Sequence, residues 1–286
     1  MKRLTKENLK YTFSPFHEPA LIIEPGETII AETEDAFSGT IRIEEDVRDK
    51  VKMPFSNPLT GPIYVEHAEP SDVLSVEIKE IHPTVDYGIT YLEPNLDKFL
   101  GTAAFAKLLQ ETPSPRTKIY PIKDGRIYFN KDTAVPMQPM IGTIGTSPQI
   151  EALLSNTPGR HGGNMDCPDA CPGNTIFLPV FVKGAFLSLG DVHAIQGEGE
   201  VTGGGVDIPT GVTLTVDLHK NKKIDWPRIK SQDHIMTVCS AKPLEDAARL
   251  AFSYGSIVCT IPKKPLSPCF FRIFQQRNTY ALPPLL

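Results

Sequence analysis

The sequence predicts a mainly β protein, built as a sandwich or barrel with little helix. Proline supplies 27 of the 286 residues, roughly twice its usual share of about 5%, and proline interrupts helices. Apolar and polar residues alternate over short runs, which are separated by glycine, proline, asparagine and aspartate. Short strands joined by turns account for both observations, whereas long helices and coiled coils do not.

The first predicted strands lie on either side of a turn. Leu21–Ile23 and residues 28–30 are mostly apolar, and residues 24–27 between them read Glu-Pro-Gly-Glu, a composition typical of a tight turn. Residues 57–62 read Asn-Pro-Leu-Thr-Gly-Pro and predict a second turn. The N-terminal half of the chain is therefore interpreted as a succession of short strands.

Two longer strands and one helix have clearer patterns. In residues 73–79 and 212–219 apolar side chains occupy alternate positions, which places them on one face of a half-buried strand. A helix is predicted from Pro243 to about Phe252, because proline suits the first helical position and acidic residues follow in the first turn. Gly255 is the predicted stop signal.

Composition and charge limit the classes of partner. The chain carries 29 lysines and arginines against 34 aspartates and glutamates, a net charge of −5, which disfavours nucleic acid or anionic lipid as the main partner. The sequence has no run of the about 18 apolar residues that a membrane span needs, so no span is predicted. The first residues are charged and lack an apolar stretch, so no secretory signal is predicted. Five cysteines, a low and odd number, predict a reduced, cytoplasmic protein.

Side chains that bind metals or transfer protons crowd into residues 160–207, and glycines flank most of them. Glycine allows the close approach that a site presented by loops needs. Asp191 and His193 are two positions apart, so in an extended chain they project to the same side, and Glu198 and Glu200 repeat this spacing. The segment predicts a mixed nitrogen and oxygen site for a divalent ion. The candidates are His161, Asp166, Asp191, His193, Glu198 and Glu200.

Simpler interpretations of these residues stay open. Two glycine-rich turns could use their acids to cap backbone amides, His161 could be an ordinary loop histidine, and Glu200 could either bind the ion or orient a ligand. Cys167 and Cys171 could form part of a thiolate zinc site, but no second cysteine pair lies at zinc-ribbon spacing. A cysteine nucleophile would need a base and a lowered pKa, which the sequence does not show.

Five blocks of the chain, in matching order and spacing, resemble the acetamidase/formamidase family. Residues 162–166 read GGNMD, and residues 190–197 read GDVHAIQG. Each motif is short, but five in the right order make the resemblance specific. The five blocks are residues 32–37, 57–72, 140–145, 162–166 and 178–197.

The resemblance implies a fold, an activity, a cofactor and an assembly. The implied fold is a jelly-roll-like β-sandwich with few short helices, forming a single domain over residues 1–286. The implied activity is that of a metal-dependent hydrolase, which converts small aliphatic amides, formamide and acetamide, to ammonia and a carboxylate. Zinc is the first expectation for the metal and calcium the second, and a homo-oligomer, a dimer, is the expected assembly.

Three departures from the family pattern are visible. Glu198 stands where an aspartate is usual, and His67 and Ser71 replace glycines. Residues 253–286 form an atypical C-terminal segment, where the family would have a longer helix followed by strands. A second class of function is therefore retained, a catalytically inactive β-sandwich relative that binds a metal or a small ligand.

The resemblance and the chemistry of amide hydrolysis together assign roles. Asp35 and Glu198 are expected to act as further ligands or proton carriers, and Asn164 to donate a hydrogen bond to the substrate carbonyl, where it stabilises the developing oxyanion. A preference for formamide or acetamide is not readable, because one carbon changes binding by only ~1–3 kcal/mol. The expected metal ligands are Asp166, Asp191 and His193, and the residues expected to support them are His161 and Glu200.

Overall fold

The computed structural model describes residues 1–92, 114–200, 203–260 and 270–275. Within these ranges the chain forms twenty strands, one α-helix and one short 3-10 turn, which confirms the mainly β prediction. The helix, α1, spans Leu244–Thr260, and the 3-10 turn spans Glu198–Glu200. The strands are β1 (Lys2–Leu4), β2 (Thr12–Phe13), β3 (Leu21–Ile23), β4 (Glu27–Thr33), β5 (Leu59–Val65), β6 (Val73–Pro83), β7 (Tyr87–Leu92), β8 (Arg116–Lys123), β9 (Arg126–Asn130), β10 (Thr133–Pro136), β11 (Met140–Gly145), β12 (Leu153–Leu154), β13 (Gly162–Asn164), β14 (Thr175–Pro179), β15 (Leu187–Ile195), β16 (Val206–Asp207), β17 (Thr210–His219), β18 (Arg228–Lys230), β19 (Ile235–Ala241) and β20 (Phe270–Gln275).

Two large sheets contain most of these strands. The first sheet has the order β1-β4-β17-β6-β14-β18-β19-β20, and the second has the order β10-β9-β8-β7-β16-β15-β11-β13. β5 joins the second sheet by pairing with β15, and β3 pairs in parallel with β5. Buried aliphatic side chains from both sheets form one continuous core, so the sheets pack face to face as in a sandwich.

β6 and β17 lie side by side in the first sheet and confirm the two alternating patterns. Leu74, Val76 and Ile78 of β6 are buried, as are Leu214 and Val216 of β17. The strands pair antiparallel, with Val216 opposite Val76. Each aliphatic side chain removed from water in this way contributes roughly 1.5–3 kcal/mol to folding.

One of the two predicted turns is confirmed and the other is wrong over most of its length. Residues 24–27 form a turn in which the Glu27 amide donates to the Glu24 carbonyl at 3.2 Å. The turn predicted for residues 57–62 is wrong from Leu59 onward, where β5 begins. The pairing of β5 with β15 shifts register at this point, and such an irregularity accommodates Pro62, which has no N–H to donate.

Helix α1 begins where the sequence predicts but continues further. It runs over Leu244–Thr260, so the stop predicted at Gly255 is wrong. Gly255 is buried, and so are Ala251 and Ala247, which precede it by four and eight residues. These three small residues share one face of the helix, and the helix packs against β19 and β20. Tertiary packing therefore overrides the tendency of glycine to end a helix.

β15 carries two of the predicted site residues through the interior. It is buried from Leu187 to Ala194 and pairs with β5, β11 and β16. The prediction that a loop presents Asp191 and His193 is wrong, because both lie in this strand. Gly190 allows the strand to pass close to its neighbour, since a Cβ there would collide with the carbonyl oxygen of Pro58.

Part of the atypical segment 253–286 lies within the described residues. Residues 253–260 are the last turns of α1, and β20 pairs in parallel with β19. Residues 261–269 and 276–286, and with them the proline-rich end of the chain, lie outside the described residues. Among the helices of the described ranges, none has the length and apolar character to cross a membrane.

His67 and Ser71 adopt backbone conformations that favour glycine. Their φ angles are 64° and 77°, in the left-handed region that costs a residue with a Cβ roughly 1–2 kcal/mol. Glycine would adopt the same angles without this penalty. The glycines of the family pattern at these two positions therefore have a physical reason, and this chain departs from them at some cost in stability.

We expect Ser71→Gly to stabilise the protein, because glycine removes the strain at a φ of 77°. The free energy of unfolding should rise by about 0.5–1 kcal/mol, since the added freedom of the unfolded chain offsets part of the gain. Thermal unfolding followed by circular dichroism would report this as a higher Tm. Ser253→Gly, at an exposed position inside α1, is the control and should lower the Tm. Equal shifts would contradict the assignment of strain to Ser71.

Candidate active site

Four strands of the second sheet converge on one group of polar side chains. Thr143 comes from β11, Asn164 from β13, Asp191 and His193 from β15, and Asp207 from β16. β15 pairs with both β11 and β16, and β13 pairs with β11, which brings these side chains to one place. Connecting segments supply the other members of the group, which are Asn57, Asp166 and Gln196.

Asp166, Asp191 and His193 meet as the sequence predicts. One carboxylate oxygen from each aspartate and one imidazole nitrogen lie within 4.8 Å of one another. All three residues are buried, with exposures of 7%, 3% and 1%. Two carboxylates and an imidazole at this spacing form a donor set that suits a divalent metal ion.

Asp207 adds a carboxylate that the sequence analysis missed. Its Oδ1 lies 3.1 Å from Nε2 of His193, and Oδ1 of Asp191 lies 3.3 Å from the same nitrogen. In the described part of the chain, neither carboxylate pairs with a lysine or an arginine. The available signal was a single acid between Val206 and Ile208 in a run of glycine and apolar residues. We call Asp166, Asp191, His193 and Asp207 the acidic cluster.

Burial and charge oppose each other within the acidic cluster. Burial lowers the pKa of His193, but the carboxylates of Asp191 and Asp207 outweigh burial and hold that pKa well above its ordinary value. Burial raises the pKa of Asp207 to about 7 against the opposing effect of His193, and the charges of Asp191 and Glu200 add to the rise. Because two buried carboxylates face one imidazole, the site has an excess of negative charge, which is costly without a cation.

Neutral side chains hold the aspartates in place. Asn57 Nδ2 donates to Asp191 Oδ2 at 2.6 Å and to Asn164 Oδ1 at 3.0 Å. The Thr143 hydroxyl lies 3.2 Å from the same Asp191 oxygen and also donates to Asn164 Oδ1. Asn164 Nδ2 in turn donates to Asp166 Oδ2 at 2.5 Å. Since these donors carry no charge, they orient the carboxylates without neutralising them.

The backbone at this site depends on a glycine. Asp166 and Asp191 have φ angles of 44° and 53°, which non-glycine residues adopt rarely. Gly142 lies against both, and a Cβ there would be 2.8 Å from Asp166 Oδ1 and 2.9 Å from Asp191 Oδ2. Only glycine therefore leaves room for the two carboxylates at their observed positions.

Three neutral residues of the site, Asn57, Thr143 and Gln196, were also missed by the sequence analysis. Each lies in a block quoted for the family resemblance, but hydrogen-bonding side chains are too common for their identity to mark a site. A weak signal exists for Thr143, which is a lone hydroxyl in the apolar block 140–145. Their roles depend on partners far away in the chain, such as Asn57 with Asp191.

Asp35 lies on a turn beside Asn57. Its Oδ1 accepts from the amides of Phe37 at 2.9 Å and Gly39 at 3.0 Å, and its Oδ2 accepts from Arg42 at 2.9 Å. Burial raises the pKa of Asp35, although these hydrogen bonds oppose the rise. The same turn contacts Asn57, whose backbone N–H donates to the backbone carbonyl of Ala36 at 3.0 Å.

Glu198 and Glu200 do not project to one side, so the extended spacing predicted for them is wrong. They lie in the 3-10 turn, where Gly199 has a φ of 73°. Glu198 is exposed, whereas Glu200 is buried and its charge raises the pKa of Asp207. The turn thus directs Glu200 toward the acidic cluster.

His161 is buried and packs edge-on against Phe13, with the ring centroids 4.9 Å apart. Burial lowers its pKa to about 4, so the imidazole is neutral near pH 7. Its Nε2 has no hydrogen-bond partner among the described residues.

The described cysteines do not favour a thiolate nucleophile. Cys167, Cys171 and Cys239 are free thiols. Burial raises the pKa of Cys171, and it raises the pKa of Cys239 to about 12. Both side chains therefore stay protonated near neutral pH, whereas a nucleophilic cysteine needs a lowered pKa.

The acetamidase/formamidase family matches residues 2–157 and 151–249 of this chain. Two solved structures are closely similar to it. The acetamidase of Yersinia enterocolitica is 38% identical with a TM-score of 0.84, covering 91% of this chain and 80% of that chain. The acetamidase of Bacillus halodurans is 38% identical with a TM-score of 0.81, covering 89% of this chain and 83% of that chain.

Similarity to curated relatives is lower. The acetamidase of Mycolicibacterium smegmatis is 26% identical over 263 residues, which cover 70% of this chain and 63% of the relative. The formamidase of Methylophilus methylotrophus is 26% identical over 251 residues, which cover 70% of this chain and 61% of the relative. The chain therefore spans less than two thirds of the length of the curated relatives it matches.

We expect Gly142→Ala to destabilise the protein and distort the acidic cluster, because the new methyl group would overlap both carboxylates. Overpacking of this kind costs about 1–3 kcal/mol, which thermal unfolding would report as a lower Tm. Gly211→Ala in β17 is the matched control, since the nearest atom to its Cβ is 3.8 Å away. A Tm for Gly142→Ala at or above that of the control would contradict the close packing described.

We expect His161 to make the protein less stable in mild acid. Its pKa falls from 6.5 to about 4 on folding, so the unfolded chain binds the proton first. The contribution of this histidine to the free energy of unfolding is therefore complete above pH 6.5 and is lost as the pH falls toward 4. At pH 5 the free energy of unfolding should be lower by about 2 kcal/mol on this account.

The measurement is Tm at pH 7 and pH 5 for the wild type and His161→Leu. The loss between the two pH values should be smaller in the variant, because leucine does not titrate. His82→Leu, at an exposed position, is the control and should keep the wild-type loss. An unchanged loss in His161→Leu would refute the assignment.

Proposed function

The chain belongs to the acetamidase/formamidase family, and from that premise we propose that it hydrolyses small aliphatic amides, formamide and acetamide, to ammonia and a carboxylate with a divalent metal ion. One observation carries the metal part of this proposal. Two carboxylates and an imidazole, all buried, place their ligand atoms within 4.8 Å of one another. The wider cluster has more acidic groups than one imidazole can balance, and a divalent cation would offset this excess.

The donor set favours zinc over calcium. Asp166, Asp191 and His193 would hold the ion, and Asp207 lies beside them at 3.1 Å from His193 Nε2. Zinc accepts mixed imidazole and carboxylate ligands, whereas calcium takes oxygen ligands alone. Zinc is thus our first assignment, and calcium remains the second ion to test.

Amide hydrolysis needs an activated nucleophile, a stabilised oxyanion and a proton for the departing amine. A bound divalent ion lowers the pKa of water toward ~7 and polarises a carbonyl oxygen. The chain's own residues would supply the other requirements. Asn57 keeps Asp191 in one orientation through a hydrogen bond of 2.6 Å, and the Thr143 hydroxyl holds Asn164 beside it, so the site is organised before substrate arrives.

We assign the substrate carbonyl to Asn164 and the proton transfer to Glu198. Asn164 is half-buried, and one N–H of its amide bonds Asp166, so the other N–H could donate to the carbonyl oxygen. Glu198 is exposed on the 3-10 turn, where a carboxylate can exchange protons with water. Asp35, with both oxygens occupied by the hydrogen bonds of its turn, would act by supporting Asn57.

The direct test is ammonia release from formamide and acetamide by the purified chain. It would be measured as isolated, after chelation, and after adding zinc or calcium. We expect release that stops with the chelator and returns with zinc. A folded chain that binds zinc without releasing ammonia would instead favour an inactive metal-binding relative. Light scattering on the same sample would test the homodimer, which rests on the family resemblance alone.

We expect His193→Ala to lose both bound metal and turnover. The variant removes the only imidazole of the acidic cluster, so a metal ion would have only carboxylate ligands from that cluster. Metal content by mass spectrometry and the rate of ammonia release should fall together, by at least the ~10–100-fold that loss of a supporting residue costs. His82→Ala, which changes an exposed histidine, should keep both. Full metal content and activity in His193→Ala would remove His193 from the site.

A further inference from the structure

We infer that Gln196 is a positioning residue. It determines which nitrogen of the His193 ring carries a hydrogen, and it connects that ring to Asp166 through hydrogen bonds. The inference rests on the proposed function, because it concerns how the same site is prepared for a metal ion. Gln196 follows β15 directly and is 8% exposed. Neither its residue type nor its spacing marked it as a site residue.

The two hydrogen bonds of Gln196 determine which way its amide points. Gln196 Nε2 lies 2.7 Å from the backbone carbonyl oxygen of Asp166. A carbonyl oxygen can only accept, so the NH2 end of the amide must be at this position. The other end, Oε1, then lies 2.7 Å from Nδ1 of His193.

The amide orientation determines the proton position on His193. Oε1 of Gln196 can only accept, so Nδ1 of His193 must carry a hydrogen. Nε2 is then the atom directed at Asp191 Oδ1 and Asp207 Oδ1, at 3.3 and 3.1 Å. Gln196 thereby selects Nε2 as the nitrogen that offers its lone pair to a cation among the carboxylates.

A second restraint on the ring comes from the backbone at Gly205. A Cβ at Gly205 would lie 2.8 Å from both Cγ and Nδ1 of His193, so the backbone of residue 205 lies directly against the ring. Gln196 also restrains Asp166, whose carbonyl it binds and whose φ is 44°. One amide therefore links the strand that carries His193 to the segment that carries Asp166.

The test compares Gln196→Met and Gln196→Glu with the wild type. Methionine fills a similar volume but provides neither hydrogen bond. Glutamate keeps an oxygen for the Nδ1 hydrogen of His193, and when ionised it cannot donate to Asp166. Thr28→Val is the control, because it removes a hydrogen bond of 2.8 Å to Thr215 in the first sheet.

Two readouts report on positioning rather than on folding. Zinc affinity would be measured by calorimetry on the metal-free proteins. The protonated ring nitrogen would be identified by long-range proton–nitrogen NMR on zinc-loaded protein labelled at its seven histidines, with His193→Gln to assign the signal. We also expect kcat for formamide to change more than KM, because both ends of the Gln196 amide are occupied by His193 and Asp166 and leave none for substrate.

For Gln196→Met we expect zinc affinity to fall about 10–100-fold. The Nδ1 proton signal of His193 should disappear, because without its acceptor that hydrogen exchanges with water. Gln196→Glu should keep that signal and more of the affinity, and Thr28→Val should match the wild type in both. Wild-type affinity together with an intact Nδ1 proton in Gln196→Met would overturn the inference. If Gln196→Met does not fold, a proton on Nε2 in Gln196→Glu would overturn it equally.

The outcomes separate this inference from the proposed function. If the wild type binds zinc and shows the expected effects at Gln196 but releases no ammonia, the positioning role stands and the amidase proposal fails. If ammonia is released while Gln196→Met keeps wild-type zinc affinity and the Nδ1 proton, the amidase proposal stands and the positioning role fails.

Discussion

Burial of carboxylates around one imidazole is the constraint on which the rest of the site depends. Removing an ionised carboxylate from water costs several kcal/mol even after relaxation, and Asp191 and Asp207 are both almost fully buried beside His193. Such groups need a donor or a cation at their oxygens. Asn57 supplies a donor to one oxygen of Asp191. The remaining negative charge is what a metal ion would balance.

The second sheet supplies the rigidity that this arrangement needs. β15 lies between β11 and β16, so backbone hydrogen bonds on both sides fix the positions from which its side chains project. Close approach to those strands requires residues without a Cβ, and Gly142 and Gly205 fill this need against the aspartates and the imidazole. The positive φ of Asp191, 53°, persists because the surrounding strands leave no alternative.

Most of the fold could be predicted from local pattern, and the errors share one cause. Alternation placed the buried faces of β6 and β17 correctly, because burial of every second residue is a property of the strand itself. The turn at Leu59, the helix stop at Gly255 and the loop around Asp191 were wrong. Each depends on packing against another element, which changes what proline or glycine does locally.

The sequence by itself determined the strands and, through the family resemblance, which acids and histidine to consider. It also determined that Asp191 and His193 project together, since two residues apart in one strand share a face. Tertiary structure decided which side chains from different strands meet. Asp207 reaches His193 only through strand pairing, and Glu198 and Glu200 diverge because Gly199 turns the chain. Spacing constrains neighbours along the chain, whereas partners across a sheet are chosen by register and core packing.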